Sequence, residues 1–89
     1  MRIGYVNTFP GATRSKAQAV KVLEESSEAF SAWEKWRENP SKNAVRGIAL
    51  EIADTVTACA NLASAFGIED LRPYLAEVEI KNREKGRYL

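Results

Sequence analysis

The sequence predicts an all-α protein, and three observations lead to that prediction. Apolar residues recur at intervals of three and four along two long segments, which is the spacing of one face of an α-helix. Turn-forming residues interrupt these segments at residues 39–41 and at Gly67. The alternation of strands and helices that is typical of a parallel sheet is missing. We therefore predict an antiparallel bundle of three main helices per chain, completed by oligomerisation.

The first fourteen residues have no helical periodicity, and residues 8–11 (Thr-Phe-Pro-Gly) have the composition of a turn. We interpret residues 1–14 as an N-terminal arm. Two alternatives stay open for it: the arm is ordered against a neighbouring helix or subunit, or it is mobile. Residues 15–89 then form the single predicted domain.

The first helix is predicted to start at Ser15, because Ser15 and Gln18 have the spacing of a capping box. It is predicted to end before Pro40, because the residue preceding a proline is disfavoured in the helical conformation. We expect its inward face to carry an apolar stripe of Ala19, Val20, Leu23, Phe30 and Trp33, with Ala17, Ala29 and Ala32 beside it.

The second helix is predicted over residues 42–66, where the apolar spacing is strongest, and Gly67 is expected to end it in the left-handed conformation. A third helix follows at about residues 70–85, with Pro73 tolerated in its first turn. The predicted inward residues of the second helix are Val45, Ile48, Ile52, Val56, Cys59, Leu62 and Phe66. Those of the third helix are Leu71, Leu75, Val78 and Asn82.

Length and composition exclude several classes of protein. A chain of 89 residues is near the lower limit for an independent core, so oligomerisation would help to bury apolar faces. The balance of 13 basic and 12 acidic residues argues against a stable nucleic-acid partner. A single cysteine, Cys59, fits a reducing compartment. With no membrane-spanning run of roughly 18 apolar residues and no signal peptide, we expect a cytoplasmic protein without a membrane partner.

Two acidic motifs lie inside the predicted helices: residues 24–28 (Glu-Glu-Ser-Ser-Glu) and residues 51–54 (Glu-Ile-Ala-Asp). Residues three apart share a helix face, so each motif directs two carboxylates to one side. Antiparallel packing would bring the four groups together, and their repulsion would then raise their pKa values. A hard divalent cation removes this conflict, and Mg²⁺ is the usual ion for oxygen ligands.

A purely structural interpretation competes with a metal site. Glutamates on an exposed helix are commonly solvated, so the first motif alone does not establish a site. Glu51 and Asp54, however, are the only acidic residues between Val45 and Ile68, in a mostly small and apolar segment. Charges in that setting are unfavourable unless something compensates them. A salt bridge to Arg46 or to the third helix stays open as that compensation.

The order of these motifs resembles the MazG-like family of all-α nucleoside triphosphate pyrophosphohydrolases, whose relatives include dimeric dUTPases and a phosphoribosyl-ATP pyrophosphohydrolase. The resemblance rests on Glu-Glu-x-x-Glu at residues 24–28 and Glu-x-x-Asp at residues 51–54. It continues through residues 66–71 (Phe-Gly-Ile-Glu-Asp-Leu) and ends in the basic segment of residues 81–88. In all it covers about residues 18–88.

The resemblance implies an enzyme that cleaves a nucleoside triphosphate between its α and β phosphates, releasing the monophosphate and pyrophosphate. It implies that Mg²⁺, with Mn²⁺ as an alternative, is held by Glu25, Glu28, Glu51 and Asp54. Glu24 and Glu25 would serve catalysis, with Glu24 orienting the attacking water. No protein nucleophile is indicated, because histidine is absent and Cys59 lies in the predicted core stripe.

Candidate substrate residues follow from the polar and basic end of the chain. The amide of Asn82 on the inner stripe of the third helix should find a partner or line a site. We predict that Asn82 and Lys81 contact substrate, and that Lys85 and Arg87 supply positive charge for the phosphates. The helix dipole alone would also favour basic residues at this position. Asn61, two turns beyond Asp54, is a further candidate for contact with a sugar or base.

Three helices cannot enclose a nucleotide, so the site is expected to draw on two subunits of a homodimer or homotetramer. Two alternatives to the predicted function remain open. The acidic residues would instead bind a basic partner if the protein were a non-enzymatic helical interaction module. A specialised relative acting on dUTP, dCTP or a phosphoribosyl nucleotide is the remaining alternative.

Overall fold

A computed structural model describes all residues of the chain, Met1–Leu89. The fold is all-helical, without strands, and contains α1 (Lys16–Glu38), α2 (Lys42–Ala65) and α3 (Arg72–Glu84). The prediction of an all-α chain with three helices is confirmed, and the boundaries fall within about two residues of those expected. None of the three helices combines the length and the apolar character that crossing a membrane requires.

Serine caps start the first two helices. The Ser15 hydroxyl accepts the Gln18 backbone N–H at 3.2 Å, and the Ser41 hydroxyl accepts that of Ala44 at 3.0 Å. Each bond satisfies one of the amide groups that have no partner at a helix start. The Gln18 side chain accepts the backbone N–H of Thr13 rather than that of Ser15, so the capping box is not closed in its usual reciprocal form.

Gly67 ends α2 in the way that the sequence predicted. Its φ is +76°, in the left-handed region where only glycine is unstrained. The Gly67 N–H bonds the Ser64 carbonyl at 2.9 Å, and the Ile68 N–H bonds the Ala63 carbonyl at 3.0 Å. This pair of bonds is the Schellman arrangement, and it turns the chain away from α2.

α3 begins two residues later than predicted because Asp70 pairs with Arg72. The Asp70 carboxylate accepts the Arg72 backbone N–H at 3.0 Å and its guanidinium at 2.8 Å. The hydrogen bonds from Arg72 lower the pKa of Asp70 to about 2. Pro73 lies in the first turn, where its missing N–H has no partner to lose.

α1 and α2 are the two helices that pack on each other, and a connection of three residues joins them. At the other end of the pair, the Arg14 guanidinium donates from Nε to the Ala65 carbonyl at 2.9 Å, so the start of α1 lies beside the end of α2. The contact zone between these helices, here called the seam, holds the least exposed residues of α1: Gln18, Val22, Glu25, Ala29, Ala32 and Trp36. On α2 the matching positions are Ala44, Gly47, Ile48, Glu51, Thr55, Ala58 and Leu62.

The predicted inward face of α1 is wrong. Leu23 and Phe30 are 69% and 60% exposed, whereas Ala32 is one of the three buried residues of the chain. Periodicity shows which residues share a face, but it does not show which face meets the neighbour. Here α2 approaches the side of α1 that carries alanines, because small side chains allow two helices to come close.

α3 extends away from the other two helices. No Cα atom of α3 lies within 8 Å of one in α1 or α2, and every α3 residue except Asn82 is exposed. The predicted inward residues Leu71, Leu75 and Val78 therefore face no helix of their own chain. The radius of gyration is 15.2 Å, against about 12 Å for a compact domain of this length.

The N-terminal arm lies along α2. The Phe9 backbone N–H donates to the Asn61 Oδ1 atom at 2.7 Å, and the Arg14 guanidinium stacks over the Phe66 ring at 5.2 Å. Residues 1–7 of the arm and residues 49–57 of α2 line a shared cavity. In the structure the arm contacts α2 of its own chain.

Candidate metal centre

Three of the predicted metal ligands meet at the seam: Glu25 and Glu51 belong to it, and the exposed Glu28 lies at its edge. Carboxylate oxygens of Glu25 and Glu28 on α1 and of Glu51 on α2 all lie within 4.8 Å of one another. Glu25 and Glu28 are three residues apart and share a face of α1. Gly47, one turn before Glu51, adds no side chain at this level and belongs to the same seam. The two helices therefore present a group of oxygens, here called the carboxylate cluster.

Glu51 supplies the strongest sign that the carboxylate cluster suits a ligand. Its Oε2 atom is buried and has no hydrogen-bond partner. Leaving such a group unsatisfied typically costs about 1–3 kcal/mol, and more when it is charged. Three carboxylates with an unpartnered inner oxygen make an all-oxygen donor set, which fits Mg²⁺ or Mn²⁺ and does not fit a soft metal.

Repulsion inside the carboxylate cluster is visible in Glu28. The negative charges of Glu25 and then Glu51 raise the pKa of the exposed Glu28 carboxyl, and slight desolvation and hydrogen bonds to the same two groups add to the effect. Without a cation, Glu28 holds its proton more tightly than a free glutamate does. A divalent ion among these oxygens would reverse that tendency.

Lys21 is the residue of this site that sequence reasoning missed. Its ammonium lies 3.3 Å from Glu25 Oε1 and 3.5 Å from Glu24 Oε2. Hydrogen bonding and attraction to Glu25, followed by attraction to Glu24, raise the pKa of Lys21. The spacing of three and four residues on α1 was the available signal. Lys21 thus compensates one of the charges of the carboxylate cluster from within the chain.

Two of the predicted acidic residues lie outside the carboxylate cluster. Asp54 is exposed and makes no hydrogen bond or ion pair, and its carboxylate is not among the oxygens that converge. Glu24 is exposed and bound only by Lys21. Their roles as fourth ligand and as water-orienting group stay predictions.

Asn61 occupies a different place from the one that sequence reasoning suggested. It is 2% exposed, and its amide oxygen accepts the Phe9 N–H of the arm. Ten residues separate it from Glu51, which corresponds to about 15 Å along α2. In this structure the side chain holds the arm, and it lies outside the carboxylate cluster.

The four candidate substrate residues at the end of α3 also lie apart from the carboxylate cluster in the same chain, because α3 contacts neither α1 nor α2. Asn82 and Arg87 do meet each other: the Arg87 guanidinium donates to Asn82 Oδ1 at 2.8 Å. Lys81 and Lys85 are exposed and form no ion pair. The structure therefore groups these residues with one another and not with the acidic residues.

A cavity of about 340 Å³ opens beside Glu51, where α1 ends and α2 begins. Its volume is at the lower end of the range for small-molecule sites, roughly 300–1,000 Å³. Its lining includes Lys35 and Asn43 as well as Glu51. Lysine and asparagine side chains can bind phosphate oxygens, and neither of these two residues was predicted from the sequence.

Comparison with known proteins found no matching family model, no curated relative and no similar solved structure. The resemblance to the MazG-like family therefore rests on the motifs and their order in the chain.

Proposed function

We propose that this protein is a Mg²⁺-dependent nucleoside triphosphate pyrophosphohydrolase, which converts a (d)NTP to the (d)NMP and pyrophosphate. One observation carries the proposal: carboxylates of Glu25, Glu28 and Glu51 converge from two helices, with a buried Glu51 oxygen that has no partner. The order of the sequence motifs gives independent support.

Each acidic residue has a distinct part in this proposal. Glu25, Glu28 and Glu51 would hold Mg²⁺, and Asp54 is the fourth proposed ligand. When bound, Mg²⁺ supplies positive charge to the triphosphate oxygens and favours ionisation of the attacking water. Glu24 lies at the outer edge of the same face and is the proposed residue that orients this water. Catalysis would then rest on positioning and electrostatic stabilisation rather than on a protein nucleophile.

The cavity beside Glu51 gives the triphosphate a place to bind. Lys35 would attract phosphate oxygens there, and Asn43 would offer an amide donor. Asn61 would reach a sugar or base only after the arm leaves its amide oxygen. Because α3 is remote from the carboxylate cluster, Lys81, Asn82, Lys85 and Arg87 would act on substrate bound to a second copy. The proposed working form is therefore a homodimer or homotetramer, in which helices of a second subunit complete the antiparallel bundle.

The test is pyrophosphate release from a panel of natural and modified (d)NTPs with Mg²⁺. Glu51→Gln and Glu28→Gln keep the shape of each side chain and remove its charge, and we expect either change to lower kcat/KM at least about 100-fold, which corresponds to about 2.7 kcal/mol. Glu77→Gln, on exposed α3, is the matched control and should leave the rate unchanged. Full turnover in both cluster variants, with helicity unchanged by circular dichroism, would refute the assignment.

One observation favours a second candidate function. Lys21 pairs with Glu25 and Glu24, so these acidic residues already bind a cationic side chain. A non-enzymatic interaction module would use the same acidic residues to bind a basic partner. Calorimetric titration with Mg²⁺ and with Mn²⁺ separates the two. If the protein is the enzyme, the titration should show a heat of metal binding, and Glu51→Gln should abolish it. If the protein is an interaction module, no heat of metal binding is expected. The same nucleotide panel identifies a specialised substrate such as dUTP, dCTP or a phosphoribosyl nucleotide.

A further inference from the structure

Gly47 is the glycine of this chain that backbone conformation does not explain. The other four glycines have a positive φ, in the region where only glycine is unstrained, and Gly47 is not among them. Gly47 lies inside α2, where glycine is less favourable than alanine because it loses more conformational freedom on folding. Glycine at this position therefore weakens the helix without relieving any backbone strain.

Close packing against α1 does not explain Gly47 either. A Cβ atom built on Gly47 meets no atom of a neighbouring element within 4 Å. A methyl group at this position would lie in open space, so the fold itself would accept alanine without a clash. The space beside Gly47 is thus kept open although neither the backbone nor the packing of the chain requires it.

This open space belongs to the cavity of about 340 Å³ beside Glu51, which Gly47 lines. Ala44, Gly47 and Glu51 follow one another at intervals of three and four residues, so they form one row along α2. Ala32 and Lys35 line the cavity from α1. Glu51 belongs to the carboxylate cluster as well, so the cavity borders the proposed cation site.

The lining of this cavity suits a phosphate chain better than a nucleobase. It contains no aromatic residue on which a base would stack. Groups that can donate hydrogen bonds to phosphate oxygens are present on Lys35, Asn39, Ser41 and Asn43. Lys35 forms no ion pair within the chain, so its positive charge is available to an anion.

We propose that Gly47 is a specificity-determining residue, whose missing side chain keeps the cavity beside Glu51 open for the phosphate chain of the substrate, with the base outside the cavity. This inference rests on the proposed function and adds which part of the nucleotide the cavity selects. It requires two effects of opposite sign: a side chain at residue 47 should stabilise the helix and weaken phosphate binding. A glycine with a purely structural role would not couple the two effects in this way.

The test is calorimetric titration of the full chain with inorganic tripolyphosphate in the presence of Mg²⁺, together with thermal unfolding without ligand. Gly47→Ala adds one methyl group to the open space, and Gly47→Leu fills more of it. Ala49→Leu is the matched control, because it places a leucine on the exposed side of α2 that faces the arm, about 200° around the helix from Gly47.

We expect Gly47→Ala to raise Tm by about 2–8 °C, because alanine is the better helix former, and to weaken tripolyphosphate binding about threefold. Gly47→Leu should weaken this binding at least about tenfold, and Ala49→Leu less than about twofold. The inference is overturned if wild type does not bind tripolyphosphate, or if Ala49→Leu loses as much binding as Gly47→Leu.

Two further results would also overturn the inference. A lower Tm in Gly47→Ala would mean that packing requires the glycine. Unchanged tripolyphosphate binding in Gly47→Leu, with weaker nucleotide binding, would place the base in the cavity instead.

The failure of this inference is distinguishable from the failure of the proposed function. Pyrophosphate release that Gly47→Leu leaves unchanged would reject the role of Gly47 and retain the enzyme. Tripolyphosphate binding that Gly47→Leu abolishes, in a protein that hydrolyses no nucleotide, would retain the role of Gly47 and reject the enzyme.

Discussion

The seam between α1 and α2 and the outer surfaces of α1 and α3 have opposite chemistry. The seam holds small residues such as Ala32, Gly47 and Ala58, and it places the glutamates of the carboxylate cluster among them. The outer surfaces carry Leu23 and Phe30 on α1 and Leu75 and Val78 on α3, all of them exposed. The seam also contains four larger apolar residues, each half-buried: Val22, Trp36, Ile48 and Leu62. The difference teaches that small residues let the two helices come close around a polar site, while many large apolar side chains of the chain stay outside the seam.

The largest effect that should distinguish the two regions is overpacking. Ala32→Leu adds volume where two helices touch and should reduce the free energy of unfolding by about 1–3 kcal/mol. Ala76→Leu adds the same atoms on exposed α3 and should change it by less than about 0.5 kcal/mol. Urea denaturation at one protein concentration measures both. A stable Ala32→Leu protein would show that the seam is looser than described.

The second largest effect is expected from Lys35→Ala, which should weaken substrate binding. Removing its charge from the cavity beside Glu51 should raise KM for the nucleotide about tenfold, equivalent to about 1.4 kcal/mol, with helicity unchanged. Lys42→Ala, at the exposed start of α2, provides a control of equal charge that is outside this lining. Equal KM values for the two variants would place the triphosphate elsewhere.

A smaller effect is expected from Lys21→Gln. Because the Lys21 ammonium competes with a cation for Glu25, its removal should tighten Mg²⁺ binding about two- to fivefold, a small change because the pair is exposed to solvent. Calorimetry at low salt measures the change, and Lys16→Gln on the same helix controls for net charge. Weaker Mg²⁺ binding in Lys21→Gln would mean that Lys21 helps to shape the site rather than competing for it.

The smallest effect concerns pH, and the two regions should respond with opposite sign. The pKa of Glu28 at the edge of the seam is raised above its ordinary value of 4.5, so the folded chain binds a proton before the unfolded chain does. Stability should therefore rise as pH falls from neutral toward 4.5 without metal. The pKa of Asp70 is lowered from 3.8 to about 2, so the ionised Asp70 stabilises the folded chain. This contribution to the free energy of unfolding is complete above pH 3.8 and is lost as pH falls toward 2.

Thermal unfolding between pH 7 and pH 4.5 tests this response. Glu28→Gln should reduce the increase in stability between pH 7 and pH 4.5. Saturating Mg²⁺ should remove this increase, because the ion replaces the proton. Asp70→Asn should leave this pH range unaffected. A wild-type protein whose stability falls steadily over the same range would contradict the repulsion inferred within the carboxylate cluster.

Local signals in the sequence predicted much of the fold. Ser15 and Gly67 marked helix ends because capping and left-handed backbone depend on one residue and its neighbours. The acidic spacing pointed to Glu25, Glu28 and Glu51, whose carboxylates converge, and also to Asp54, whose carboxylate does not. Spacing on one helix shows which side chains share a face, but it does not show which of them the neighbouring helix approaches.

Features that depend on distant packing were not predictable. Hydrophobic spacing assigned Leu23 and Phe30 to the core, but the helix pair meets through alanines on another side of α1. The bond between Asn61 and Phe9 joins residues 52 positions apart, and no local pattern encodes it. The position of α3, which extends away from the helix pair, follows from no local pattern either.

The connection of three residues between α1 and α2 has a consequence for how the site forms during folding. Glu28 and Glu51 are separated by only 23 positions, from 51 minus 28, so they meet through one short loop closure. Contacts of such low sequence separation form early and quickly. The carboxylates can therefore be gathered as soon as this pair of helices closes, whatever the rest of the chain has formed by then.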